Sequence, residues 1–353
     1  MRAFRLAVKV MLSALSRSIA SLIDGFRGSP AGVSDAQATC KLKLKQCSDR
    51  IICPEPAMKI LLIGHGYVGA YLRPLLIRAG LDVTVCDQSV ERLAGVENAM
   101  RCRYQELTIA DLADFSVILW FAGHSSVPMS IRDPDGALAN NCLDLLHFAR
   151  RKPLNARLIY ASTASVYSVV SDGQTAPPAL DETETRLDPL NPYDCSKISI
   201  DALARCFANA ITGLRLGTVC GASPQLRGEL VFNAMNLAAM RDGYVQVSNR
   251  NSHRNLLFLD DLAHYVLKLI ERNADLPPIL NTGSINISIG ALADSIAAFH
   301  GVPVIDKGNS TTYSFQMNCG KIQELCGSPP QMSIAERCAL FRETCPPLLK
   351  VAS

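Results

Sequence analysis

The sequence predicts an α/β protein built on a doubly wound parallel sheet, with a smaller C-terminal lobe. Three observations predict it. Short apolar runs alternate with helical patterns, as strand–helix–strand units require. A glycine-rich turn joins the first run to the first helix. An acid, Asp87, closes the second run.

The elements follow in order. Residues 59–63 (Lys-Ile-Leu-Leu-Ile) form an apolar run ending in glycine, which reads as a buried parallel strand. A helix is expected from about 67 to 79, stopped near Gly80. Residues 81–86 form a second strand, and further strands fall at 116–121, 157–161 and 211–216. Helical patterns fill 136–151 and 193–209. The stretch 168–190 carries Pro177, Pro178 and several acids, and reads as a surface loop. Beyond residue 221 the elements shorten. The expected organisation is an N-terminal extension (1–57, disordered or targeting), a nucleotide-binding domain with the catalytic helix (58–220), and a mostly substrate-binding lobe (221–353). Some segments of that lobe return to the first domain.

Bulk properties narrow the function. Of 353 residues, 48% are hydrophobic, enough for a sizeable core. The net charge of +3 is uneven: residues 1–57 hold 9 Lys/Arg against 4 Asp/Glu, leaving 26 against 28 elsewhere. A slightly acidic body is no nucleic-acid surface. The 13 cysteines include no C-x-x-C pair, and Cys86 and Cys142 sit in apolar runs. They read as small buried hydrophobes in a reducing compartment, with no zinc site or disulfide framework. No run of about 18 uncharged apolar residues exists to span a membrane. Residues 1–28 are basic and free of acid until Asp24. Three readings compete: an upstream extension, favoured because Met58 opens the apolar run; a mitochondrial transit peptide; a poor secretory signal. A cytoplasmic location is expected, or a mitochondrial one if the extension is a transit peptide.

Gly64-His65-Gly66-Tyr67-Val68-Gly69 follows the first strand and opens the first helix. Gly64 permits the tight turn, Gly66 lets a pyrophosphate approach the backbone, and Gly69 allows close helix packing. The helix N-terminus offers free N–H groups to phosphates. Asp87 can bond both ribose hydroxyls and would repel a 2′-phosphate, so NAD is the expected cofactor. Phe121-Ala122-Gly123 ends a later strand at the carboxyl edge, where small residues would let the cofactor lie close. His124 follows, as a catalytic acid or an exposed loop histidine.

Tyr193 and Lys197 stand four residues apart in Asn191-Pro192-Tyr193-Asp194-Cys195-Ser196-Lys197. Asn191 can cap a helix and Pro192 suits its first turn, so both side chains share one face. A lysine there favours the tyrosinate and makes the phenol a usable acid/base.

These stretches, with Ser162-Thr163-Ala164-Ser165-Val166-Tyr167, resemble the extended short-chain dehydrogenase/reductases, the NAD-dependent epimerase/dehydratase group. The resemblance runs from about 59 to 343. Asp133-Pro134 with Asn141 resembles the family's asparagine-bearing helix. Leu214 to Gly221 resembles its next strand and turn, and Arg254 to Ala263 its phosphate-binding segment. The resemblance implies a Rossmann-type fold and three catalytic residues. Tyr193 would be the acid/base, Lys197 would lower its pKa and hold the nicotinamide ribose, and Thr163 would bond the reacting oxygen. Asn141 would brace the catalytic helix, or be a helix residue facing water. Asn233 would contact the substrate nucleotide, and Arg254 would pair with its phosphate. A homodimer is a further family expectation. Two departures stand out. The glycine motif is one residue shorter than the family's usual Gly-x-x-Gly-x-x-Gly, and Cys220 replaces a common tyrosine.

Family dehydratases carry an Asp-Glu pair after the catalytic threonine, and the decarboxylases carry a glutamate. Ala164-Ser165 can do neither chemistry. The expectation is an epimerase acting on a nucleotide-diphosphate sugar, with Tyr193 its only proton carrier. A reductase or dehydrogenase is the alternative, and a non-catalytic NAD-binding protein the third.

Overall fold

The computed structural model describes residues 57–171, 176–206, 211–272 and 275–345. Apart from Ala57, the N-terminal extension lies outside the described residues, as does the segment 207–210 expected to end the catalytic helix.

Strand β1 (Lys59–Ile63) is followed by helix α1 (Tyr67–Arg78) and then by β2 (Asp82–Cys86), β3 (Ala99–Met100) and β4 (Val117–Trp120). Two helices, α2 (Pro134–Leu138) and α3 (Asp144–Arg151), precede β5 (Arg157–Thr163). Then come α4 (Pro192–Ala204), β6 (Ile211–Leu216), α5 (Val231–Asp242), α6 (Leu259–Glu271) and β7 (Ile279–Thr282). The seven strands form one sheet in the order β7-β6-β5-β4-β1-β2-β3, and every pairing is parallel. The chain winds outward one way from β1 and the other way from β4, so the two strands flank the crevice where such sheets bind ligands.

The apolar runs form central strands because both of their faces are covered. Ile60 and Leu62 join one core and Leu61 and Ile63 the other. Alternate side chains of a strand point to opposite faces, so a continuous apolar run suits a two-sided sheet. Trp120 and Tyr160 fill the second core, with Trp120 tilted against Tyr104 and edge-on to Phe148. A third core gathers Phe232, Val245, Phe258, Leu292, Ile296 and Phe341. Leu257, Leu262 and Tyr265 instead belong to the first core.

Two expectations change. The helix expected over 136–151 is interrupted, since a π-turn occupies Ala139–Leu143 between α2 and α3. Such one-turn bulges often accompany functional sites, and this one carries Asn141. The stretch 168–190 is not all loop. Val169–Ser171 pairs with Thr312–Ser314, and Ala179–Leu180 with Gln316–Met317. The partner strands lie far along the chain, beyond what local composition can show. Among the described residues, no helix is long and apolar enough to cross a membrane. None of their His, Cys, Asp or Glu groups is arranged to hold a metal.

Candidate active site

The glycine turn is built from three different constraints. Gly64 has φ +97°, and a Cβ there would lie 2.7 Å from the Ala122 nitrogen. Only glycine lets the β1 end pass the Phe121–Ala122 backbone. A Cβ on Gly69 would lie 2.0 Å from the Gly64 oxygen, so α1 could not seat against the turn. Gly66 differs: its Cβ would meet only the Arg92 guanidinium, at 3.8 Å. Protein packing does not require glycine there. The open space faces the start of α1, where no side chain caps the first N–H groups, at Tyr67 and Val68. A pyrophosphate fits such a cradle.

Asp87 sits at the rim of this turn. Its carboxylate accepts the His65 N–H at 2.7 Å and the Ser89 N–H at 2.8 Å, with the Arg92 guanidinium 3.8 Å away. Tyr67 is held otherwise. Its hydroxyl donates to the Gly221 oxygen at 2.7 Å and accepts from Asn233 at 3.0 Å, so its side chain fastens α1 to the later turn. Phe121 and Ala122 are half-buried beside Gly64. Gly123, at φ +129°, would put a Cβ 2.4 Å from Asn141 Oδ1.

The catalytic candidates meet at the carboxyl end of β5. Asn191 caps α4 by accepting the Asp194 N–H at 3.0 Å, and Pro192 occupies the first turn. The helix therefore starts where Tyr193 and Lys197 face β5. Lys197 is buried and donates to the Ala161 oxygen at 2.7 Å; its nitrogen lies 5.9 Å from the Tyr193 ring centre. Burial pulls the Lys197 pKa down to about 8, against the attraction of Asp201. The Tyr193 phenol is pushed up to about 12, chiefly by burial, while a side-chain hydrogen bond with Thr163 opposes the rise. Tyr193 keeps some accessible surface. The Lys197 ammonium is engaged by the Ala161 carbonyl, and loss of water around the phenol is the largest influence on Tyr193.

Asn141 is buried and does not face water. Its Nδ2 donates to Ser196 Oγ at 3.0 Å and to the His124 oxygen at 3.1 Å, which ties the π-turn to α4. Its Oδ1 has no hydrogen-bond partner among the described residues. His124 is mostly covered and lies 3.2 Å from Asp133.

On the substrate side the two candidates part. Arg254 donates to the carbonyls of His253 and Tyr313 and to Thr312 Oγ1, over the Phe315 ring. Burial lowers its pKa to about 10. Its hydrogen-bond partners among the described residues are two carbonyls and a hydroxyl, none of them an acid, so its charge can meet an anion. Asn233 corrects the expectation. It has no exposed surface, and its amide is spent on the Gly221 N–H at 2.9 Å, the Tyr67 hydroxyl and the Arg227 oxygen. It braces the turn instead of facing a ligand.

Two acids escaped the sequence reading. Asp194 accepts the Ser165 hydroxyl at 2.5 Å, although the only visible signal was an acid beside Tyr193. Asp201, one turn beyond Lys197, pairs with Arg215 at 2.8 Å and accepts the Tyr160 hydroxyl at 2.8 Å.

Comparisons with known proteins agree with this architecture. The family model of the NAD dependent epimerase/dehydratase family matches residues 60–284. A UDP-glucose 4-epimerase of Corynebacterium glutamicum is 29% identical over 221 residues, covering 58% of this chain and 63% of its own length. The chain thus spans less than two thirds of that relative. Among solved structures, the UDP-glucuronic acid 4-epimerase of Bacillus cereus in complex with UDP-glucuronic acid and NAD superposes with TM-score 0.70 at 20% identity. The match covers 81% of this chain and 98% of that one. TunA, an NAD-dependent NDP-hexosamine 5,6-dehydratase of tunicamycin biosynthesis, gives 0.69 at 22% identity, over 81% and 97%. With the family model matching well over half of its length, the chain belongs to the NAD-dependent epimerase/dehydratase family.

Proposed function

We propose that the protein is a 4-epimerase-like enzyme acting on a nucleotide-diphosphate sugar. The observation that carries this reading is the meeting of Tyr193, Thr163 and Lys197 at the end of β5, with no acid at Ala164 or Ser165. That set can move a proton on and off one oxygen. It has no acid at those two positions to strip a carbon-bound proton, as a dehydratase would need.

The open cradle over Gly66, the Asp87 carboxylate and Lys197 would hold NAD. When bound, NAD supplies a reversible hydride acceptor. Tyr193 takes the proton of the C4 hydroxyl as that carbon is oxidised, and Thr163 holds the same oxygen. After the keto sugar has turned over, Tyr193 returns the proton. Lys197 binds the ribose and stabilises charge beside the phenol. Arg254 pairs with the diphosphate. Residues from 221 onward supply most of the sugar-binding lobe, while α6 (Leu259–Glu271) and β7 (Ile279–Thr282) return to the nucleotide half.

The test uses the full chain as purified. Heat-released NAD in near-stoichiometric amount, with UDP-sugar interconversion and no added cofactor, is the expected result. Turnover that consumes NAD(P)H mole for mole would replace this reading with a reductase.

A further inference from the structure

The arginine at the rim of the glycine turn has a fixed root and a free tip. Ser89 donates its N–H to Asp87 Oδ1 at 2.8 Å, and its hydroxyl accepts the Arg92 N–H at 3.3 Å. These bonds fold residues 87–92 into a bend. The Arg92 carbonyl accepts from His65 Nδ1 at 2.8 Å, which pins the bend to the turn. The side chain is not pinned. It is 51% exposed, and its guanidinium has no hydrogen-bond partner among the described residues. The guanidinium lies 3.8 Å from Asp87 Oδ2 and 3.8 Å from where a Gly66 Cβ would stand. That is the side from which a pyrophosphate approaches such a glycine.

The turn itself has few donors to spare. The Gly64 N–H is given to the Cys86 carbonyl at 2.9 Å, and the His65 N–H to Asp87 at 2.7 Å. What remains are the N–H groups at the start of α1, which carry only partial charge. A pyrophosphate is doubly negative, and the Asp87 carboxylate adds to that charge. Lys197 is held on the Ala161 carbonyl at the end of β5.

We propose that Arg92 is a cofactor-binding residue: its guanidinium turns onto the space over Gly66 and pairs with the pyrophosphate of NAD. This rests on the NAD cradle and not on the sugar chemistry. A planar guanidinium can hold two phosphate oxygens at once. The tip turns at little cost, since it gives up no hydrogen bond. Asp87 does not hold it back, because both carboxylate oxygens already accept N–H groups. Asp87 also disfavours a ribose 2′-phosphate at the same rim, which leaves the pyrophosphate as the anion.

The full chain is purified with its NAD, and release is timed against excess labelled NAD. Arg92→Met keeps much of the stem and removes the charge, and release should quicken about tenfold. Arg92→Lys keeps a charge without the fork and should recover part of that loss. Raising sodium chloride from about 0.05 to about 0.5 M should speed release more in the parent than in Arg92→Met, because salt screens the pairing. Unchanged release in Arg92→Met overturns the proposal. A loss confined to exchange against NADP also overturns it, and places Arg92 on a 2′-phosphate instead. An arginine that merely offsets the Asp87 charge would lose its effect in an Asp87→Asn background. An effect kept in that background supports direct pairing, and an effect lost there overturns it. Should Arg92→Met purify empty, the same comparisons are made on NAD uptake at a fixed concentration.

These measurements need no sugar. Release that responds to Arg92 without sugar interconversion leaves the proposal standing and removes the epimerase reading. Interconversion with release indifferent to Arg92 does the reverse. A parent chain that neither holds nor takes up NAD overturns the cradle and this proposal with it.

Discussion

Tyr193 is held between opposed influences, and its substitution is the sharpest residue-scale test. Burial keeps it protonated, up to about 12, while Thr163 offers a hydrogen bond. Tyr193→Phe keeps the ring and removes the proton carrier. Sugar interconversion should fall by roughly 10²–10⁴-fold, the usual worth of a positioned acid/base, while NAD released on heating stays unchanged. Arg254→Met addresses the other end of the site. A lost phosphate pairing weakens binding of ground and transition states alike, so KM should rise with kcat little changed. Thr163, Tyr193 and Lys197 were legible because each sits in a short motif whose neighbours fix it. Asn233 was misread because its partner Tyr67 lies 166 residues away, and no local pattern shows that its amide is already used. Asp194 was visible as a residue, but not as a contact. Its tie to Ser165 spans 29 positions and exists only once α4 packs on β5.

At the scale of elements, α4 is a rigid mount fixed at both ends. Asn191 caps it, Asn141 holds Ser196 from the π-turn, and Asp201 is clamped by Arg215 and Tyr160. Arg215 also donates to the Tyr167 hydroxyl at 2.5 Å and stacks on that ring. Asp201→Asn leaves a buried guanidinium without its counter-charge, which should cost about 3–5 kcal/mol in urea unfolding. The glycine turn allows a cleaner separation of folding from binding. Gly69→Ala forces a Cβ into the Gly64 oxygen, so the protein should be destabilised and melt earlier. Gly66→Ala meets no close atom, so melting should be unchanged while NAD content drops. Equal losses of stability in both variants would refute the separation. The strands were readable because two-sided burial writes continuous apolar runs. The π-turn was not, since residues 136–151 keep a helical pattern across it.

Across the whole molecule, the site is assembled at a cost in stability that depends on pH. Lys197 has its ordinary value near 10.5 in the unfolded chain and about 8 in the fold. Below both values it is charged in both states, and the fold bears the full penalty of a buried ammonium. Between about 8 and 10.5 the unfolded chain binds more protons, so stability rises with pH through that window. Tyr193 works in the opposite direction at higher pH. Its value rises from 10 to about 12 on folding, so the native state binds more protons there and stability falls as pH climbs past 10. The two together place the site's own stability maximum slightly above pH 10, where the rise from Lys197 gives way to the fall from Tyr193. Lys197→Met keeps much of the buried stem and removes the charge. It should unfold at higher urea concentration than the parent at pH 7, and the gap should narrow by pH 9.5, as the parent's own lysine loses its proton. A parent whose urea midpoint does not rise between pH 7 and 9.5 relative to Lys197→Met would show that Lys197 stays charged at no cost in the fold. The site would then not be the desolvated pocket on which the proton chemistry of Tyr193 depends.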